Sequence, residues 1–401
     1  MRSRITNIGK IVTWSPHEDR LITILNQEIL IEDGQIIEIA ESVSNAEVEI
    51  DADDVLITPG FVDSHTHPIF FGNRSHEFGM RVSGKSYEEI ASLGGGIISS
   101  INGVRNSSED ELFEYCLNHI NFFLDHGTTT IEAKSGYGLT LKDELKSLRV
   151  IKRLNDASPL DLIPTFMGAH NFPKEYKSNP ESYVDLICSE MIPAVAEEKL
   201  AEYCDVFCEN GYFTVEQSLR VLETAKQFGL IPRLHADEFE DSGAASLAGK
   251  IGAISADHLM AVNEVGIKDL AENGVIATLL PGTTFFLGKN TYANGGKMIE
   301  SGCDVAIATD FNPGSCTLQS MPMVISLATL YCSLSMEEAF VGATYNGAKS
   351  INRENKIGAI QNGYQADLLF WDIESINEIP YWMGSNRILS VMKRGELIEE
   401  D

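Results

Sequence analysis

GFVDSHTHP, residues 60–68, closes a short apolar run with two histidines two positions apart. Along a β-strand, positions i and i+2 face the same side, so His65 and His67 project together from the end of this run. Histidine is scarce, nine in 401 residues, and the stretch has counterparts downstream. TTTIEAKSG (128–136), DLIPTFMGAHN (161–171), DVFCENGY (205–212) and IPRLHADE (231–238) have the same texture. So do AISADHL (253–259), GVIATLLPG (274–282) and DVAIATDFNPG (304–314), which brings the runs to eight. Each is apolar and closes on Gly, Asp, His or Asn.

The segments between several of these runs have a helical pattern. SSEDELFEYCLNHINFFLDHG (107–127) opens on Ser and acidic residues, which favour a helix N-terminus, and stops at Gly127. In TVEQSLRVLETAKQFG (214–229), Thr214 is the N-cap, Gln217 its capping-box partner and Gly229 the stop. Apolar strands with little alternation suit a parallel sheet covered on both faces. Eight strand–helix repeats therefore predict an α/β fold, a (β/α)8 TIM-type barrel. A doubly wound open sheet is the alternative, and the polar residues gathered at the run ends argue against it. The termini differ: ILNQEILIEDGQIIEIAES (24–42), IGAIQNGYQADLLFWD (357–372) and ILSVMKRGELI (388–398) have short strands and Gly turns, with Asp33-Gly34 as a hairpin signal. The expected division is 1–58 and 356–401 as two parts of one small β-domain, with the barrel over 59–355.

Hydrophobic residues make up 43% of the chain, enough for a large core, while 59 acidic residues against 30 basic give a formal charge of −29. That field repels phosphate backbones and anionic membrane surfaces, so neither nucleic acid nor membrane is expected as a partner. An anionic small molecule would need an arginine or lysine inside its site. The first residues carry no uninterrupted apolar segment, and no run approaches about eighteen apolar residues. A cytoplasmic location is expected, with the seven cysteines as reduced, mostly core thiols. Cys204 and Cys208 lack a second cysteine pair to make a metal site with them.

Active sites of such barrels are built at the C-terminal ends of the strands. Beyond His65 and His67, those ends carry His170, His235, His258 and Asp310; His17, His76, His119 and His126 fall elsewhere. Imidazole is a common metal ligand, and two on one strand make half a site.

PGFVDSHTH (59–67), HADE (235–238) and ATDFNPG (308–314), with the closing IGAIQNGYQADLLFWD, resemble the amidohydrolase superfamily of metal-dependent hydrolases. More narrowly, EAKSGYGL (132–139), FMGAHNFP (166–173), HADEF (235–239) and TDFNPGS (309–315) are similar to the imidazolonepropionase family, which opens a ring in histidine degradation. The resemblance implies His65, His67, His235 and Asp310 as ligands of one Zn²⁺ or Fe ion, the two metals left open. Binuclear relatives use a lysine on the fourth strand, and DVFCENGY has none; Lys134 reads as a polar-network residue, and Glu209 leaves a second metal less favoured. The implied reaction is attack of metal-bound hydroxide on the ring carbonyl of 4-imidazolone-5-propanoate, giving N-formimidoyl-L-glutamate. Asp310 would accept the water proton, His258 would polarise the carbonyl, and Glu238 would protonate the departing nitrogen. Arg74 would bind the substrate carboxylate as a bidentate partner. Tyr137 and His170 would contact the same arm or the ring, Tyr87 would close over it, and Asn312, Gly314 and Ser315 would meet its polar edge. Nucleobase deamination is the rival activity, since HxH, HxxE and a final Asp suit it equally; a carboxylate-binding set weighs against it. A barrel that kept its fold and lost catalysis is the rival of another class, and no expected ligand is missing. A homodimer is left open.

Overall fold

In this computed structural model, residues 2–85, 89 and 93–398 are described, so the expectation for Tyr87 lies outside the described residues. Ile-rich runs broken by polar turns make the N-terminal strands β1 (Arg2–Thr6), β2 (Lys10–Ser15), β3 (Arg20–Ile24) and β4 (Glu28–Glu32). They continue with β5 (Gln35–Ala40), β6 (Val48–Asp51) and β7 (Leu56–Pro59). Asp33 and Gly34 both take positive φ, 49° and 80°, the conformation a two-residue β4–β5 hairpin requires.

The eight runs are strands β8 (Phe61–Thr66), β9 (Thr128–Lys134), β10 (Asp161–Ala169), β11 (Tyr203–Cys208), β12 (Ile231–Ala236), β13 (Ser255–His258), β14 (Ile276–Leu279) and β15 (Val305–Ile307). They pair in sequence order, all parallel, as a (β/α)8 barrel expects. The intervening helices cover the outside. Helix Glu109–Asp125 is capped reciprocally by Ser108 and Glu111, and helix Val215–Gln227 by Thr214 and Gln217. The seam between β15 and β8 has no regular ladder. It is closed just above the strands by Asp310 N donating to His65 O (3.0 Å) and His67 N to Phe311 O (2.8 Å). Asp63 reinforces it, accepting from Thr309 N (3.0 Å) and Thr309 Oγ1 (2.5 Å).

The C-terminal strands β16 (Leu368–Trp371), β17 (Ile388–Lys393) and β18 (Glu396–Leu397) join the N-terminal ones in a sheet ordered β18-β17-β16-β7-β2-β3. A second sheet, β5-β4-β1-β6, faces it across a core of Ile5, Ile11, Ile31, Ile57, Leu368 and Met392. Strand β7 leads through Gly60 directly into β8, so the sheet made by the two ends is continuous in chain with the strand that carries the histidine pair. Buried Lys393 braces the junction, its ammonium 2.7 Å from both Asp161 at the start of β10 and Asp367.

Candidate active site

Strand ends bring the scarce histidines to one place. His65 (on β8), His67 (just past it), His235 (on β12) and Asp310 (just past β15) converge under the open rim, all buried. The ring centroids of His65 and His235 are 4.5 Å apart, and those of His65 and His67 5.3 Å. Asp310 Oδ1 lies 3.6 Å from His65 Nε2 and 3.5 Å from His67 Nε2, while His67 Nε2 and His235 Nε2 approach to 3.2 Å.

Carboxylates behind the imidazoles decide which nitrogen faces inward. His65 Nδ1 donates to Asp257 Oδ2 at 2.7 Å, and His235 Nδ1 to Asp205 Oδ1 at 3.0 Å. Each Nε2 is thereby left as a bare lone pair directed at the centre, and His65 Nε2 is buried with no hydrogen-bond partner among the described residues. Burial holds His65 and His67 well below the usual imidazole range, so both are neutral, the form that binds metal. Donors about 2.0–2.1 Å from one tetrahedral ion sit about 3.3–3.4 Å from each other. The observed spacings of 3.2, 3.5 and 3.6 Å match that, so these residues fit a divalent metal. His258 forms a second candidate triad with His65 and His235. Glu209 is turned away: its carboxylate accepts from the backbone N–H groups of Asn210 and Phe239.

Beneath the cluster lies a buried ionic layer. Lys134 spans Glu132 and Asp205 at 2.8 Å each, and Arg233 donates to Asp257 at 3.3 Å and to the carbonyls of Ser64 and Ser350. Asp205 and Asp257 therefore join the imidazoles to buried cations, which hold both carboxylates in place.

Above the cluster opens a cavity of about 580 Å³, lined by Arg74, Tyr137, His170, Glu238, His258 and Asn312 among others. Arg74 is fixed by Glu77, which accepts from its Nε (3.0 Å) and one Nη (2.7 Å), and its remaining Nη lies against Gly314. His170 donates from Nδ1 to Gly136 O (2.9 Å), and burial pushes its pKa down to about 4. Its Nε2 is therefore an acceptor, suited to a ring N–H rather than to a carboxylate. Glu238 lies 3.6 Å from His258 Nε2. Burial, with the Asp310 charge adding, raises Glu238 to about 8, while burial raises Asp310 to about 6. His258 (φ 80°) and Asp310 (φ 55°) both sit in left-handed backbone, strain of the kind that gathers at functional rims.

Asn312 and Ser315 line the cavity but are committed to their own loop. Asn312 Oδ1 accepts from Gly314 N and Ser315 N, and its Nδ2 donates to Asp310 O and Ser315 Oγ. Their side chains shape the wall, and their polar atoms have partners already. Asp205, Asp257, Glu77 and Thr283 (2.5 Å from Asp310 Oδ2) were not expected from the sequence. The available signal for the first two was a carboxylate inside an otherwise apolar run.

The sequence profile of the Amidohydrolase family matches residues 56–398. Imidazolonepropionase from Brevibacillus brevis is 48% identical over 87% of this chain and 82% of its own length. That from Thermoanaerobacter pseudethanolicus is 44% identical over 97% and 94%. The chain belongs to the imidazolonepropionase group of the amidohydrolase family. Among solved structures, guanine deaminase from C. acetobutylicum with bound guanine superposes with a TM-score of 0.75 at 16% identity, covering all of both chains. A zinc-bound adenosine deaminase from Xanthomonas campestris gives 0.75 at 17%, over 100% of this chain and 94% of the other. These distant likenesses show the fold alone.

Proposed function

We propose that this chain hydrolyses 4-imidazolone-5-propanoate to N-formimidoyl-L-glutamate, with His65, His67, His235 and Asp310 holding one Zn²⁺ or Fe ion. The supporting observation is the pairing, in one cavity, of the three-imidazole and carboxylate cluster with the Arg74 guanidinium. A divalent ion in such a ligand set lowers the pKa of water to about 7 for zinc and polarises a carbonyl.

The chain's own residues supply the rest. Arg74, held by Glu77, binds the propionate carboxylate with its remaining N–H groups and so places the ring over the cluster. His170 Nε2 accepts from a ring N–H, and Tyr137, buried beside it, closes that side. Water adds through oxygen to the ring carbonyl carbon, its proton passing to Asp310 Oδ1. An N–H of neutral His258 donates to the carbonyl oxygen as charge builds there. The bond from that carbon to the ring nitrogen then breaks, and the nitrogen takes its proton from Glu238. The environments of the two carboxyl groups support this division: burial, with the Asp310 charge adding, raises Glu238 to about 8, above Asp310 at about 6. The same reading places the protein in the cytoplasm, where its unpaired cysteines stay reduced.

The test is to incubate metal-replete protein separately with imidazolonepropionate, guanine and cytosine, following mass and ammonia together. Gain of one water by imidazolonepropionate without ammonia, abolished by a chelator, is expected. Ammonia from a nucleobase, with imidazolonepropionate decaying no faster than in buffer, would overturn the substrate assignment.

A further inference from the structure

Asp310 is tied down at nearly every polar atom. Its N–H donates to His65 O, its carbonyl accepts from Asn312 Nδ2 (2.7 Å), and its Oδ2 accepts from Thr283 Oγ1 at 2.5 Å. Among the described residues Oδ1 alone is left, and it is this oxygen that faces His65 and His67.

Thr283 is buried on the short helix Pro281–Phe286 that follows β14. The preceding residue explains how it comes so close. A Cβ at Gly282 would be tight against Cys316 Sγ at 3.1 Å, Leu318 Cδ2 at 3.2 Å and Thr309 O at 3.3 Å, so glycine eases the close approach of the helix start to the loop carrying Asp310.

We infer that Thr283 is a positioning residue whose hydroxyl reserves Oδ2, so that Asp310 offers one oxygen to the centre rather than two. The torsion that turns an aspartate carboxylate is broad and nearly two-fold, so without a fixed donor either oxygen, or both, can swing toward the histidines. Two oxygens on one ion would fill the position that a catalytic site keeps open for water or substrate. Threonine suits the task because its branched Cβ restricts χ1, and its burial keeps bulk water from replacing it. The inference rests on the reading of Asp310 as metal ligand and proton acceptor.

Two variants separate the hydroxyl from the shape of the side chain. Thr283→Val keeps the volume and removes the donor; Thr283→Ser keeps the donor. Each is prepared as metal-loaded holoenzyme, and three quantities are read: metal retained after dialysis against a graded chelator series, kcat and KM. For Thr283→Val, kcat falls about ten- to hundred-fold, the loss expected for a hydrogen bond to a charged group. KM stays near the parent value because Arg74 is untouched, and metal is retained to a higher chelator concentration because both Asp310 oxygens can engage it. Thr283→Ser restores kcat and retention. Parent kcat and retention in Thr283→Val would overturn the inference, as would equal damage in Thr283→Ser. Should the valine variant not fold, Thr283→Ala against Thr283→Ser makes the same comparison. If the parent holds metal but leaves imidazolonepropionate intact, the substrate assignment fails, and the retention series still decides the role of Thr283.

Discussion

Gly314 shows how one missing side chain can serve a ligand. A Cβ built there would lie 2.2 Å from one Nη of Arg74 and 2.9 Å from its Cζ. The obstacle is the far end of a flexible side chain, so Gly314→Ala should fold normally and displace the guanidinium instead. Losing a charge-assisted contact of this kind costs about ten-fold or more in kcat/KM. The expected outcome is a raised KM for imidazolonepropionate with Tm unchanged; a parent KM would show that Arg74 does not hold the propionate. Glu238 makes a prediction of a different sort. Its carboxyl is held protonated up to about pH 8. The proton it would donate on the proposed mechanism is thus present below that pH and lost as pH rises through it, so kcat/KM should decline above about 8. Glu238→Gln, which keeps the shape and cannot give up a proton as an acid, should lower kcat by about 10²- to 10⁴-fold with bound metal unchanged. Near-parent turnover in that variant would remove Glu238 from the reaction.

At the scale of elements, the barrel was legible because each run announces itself by its apolar residues, and most also by a polar residue at the end; β14 runs instead into Leu280, Pro281 and Gly282. Thr214 and Gln217 made one helix start equally plain, and the capping box is present. The rim histidines were legible for the same reason: position at a strand end is a local property. What stayed hidden depends on distance across the fold. Asp257 reaches His65 from a strand 192 positions away, and Asp63 closes the seam on Thr309 across 246. No local pattern distinguishes such a carboxylate from any other, and Asn312 could not be seen to spend its amide on its own loop. The seam is where this matters for stability. Asp63 accepts two hydrogen bonds with two oxygens; asparagine offers one acceptor and turns an N–H₂ toward a donor. Asp63→Asn should lower the unfolding free energy by about 1.5–3 kcal/mol. It should also loosen metal retention, because His65 and Asp310 face each other across the same seam. Urea denaturation and chelator dialysis would check both, and an unchanged midpoint would assign the closure to the backbone bonds alone.

For the whole molecule the difficulty is a net charge of −29 around a site that takes an anion. Two fields compete as such a substrate approaches. The surface acids are spread over the entire protein, and at about 0.15 M salt the screening length is about 8 Å, so most of them act weakly at the mouth. Arg81 and Lys289, in contrast, line the cavity itself. Arg81 is held there between Phe78 and Phe286, at 5.3 and 5.0 Å from their ring centroids, and donates to Phe286 O. Lys289 lies 4.4 Å from the Phe239 ring centroid. Neither makes a salt bridge among the described residues. If the mouth governs capture, kcat/KM for imidazolonepropionate falls as salt is raised, because screening removes an attraction. If the global charge governs it, kcat/KM rises, because screening removes a repulsion. We expect the fall, and we expect Lys289→Gln combined with Arg81→Gln to flatten or reverse it while kcat changes little. A parent enzyme whose kcat/KM climbs with salt would show that the −29 field reaches into the cavity and that Arg74 alone overcomes it.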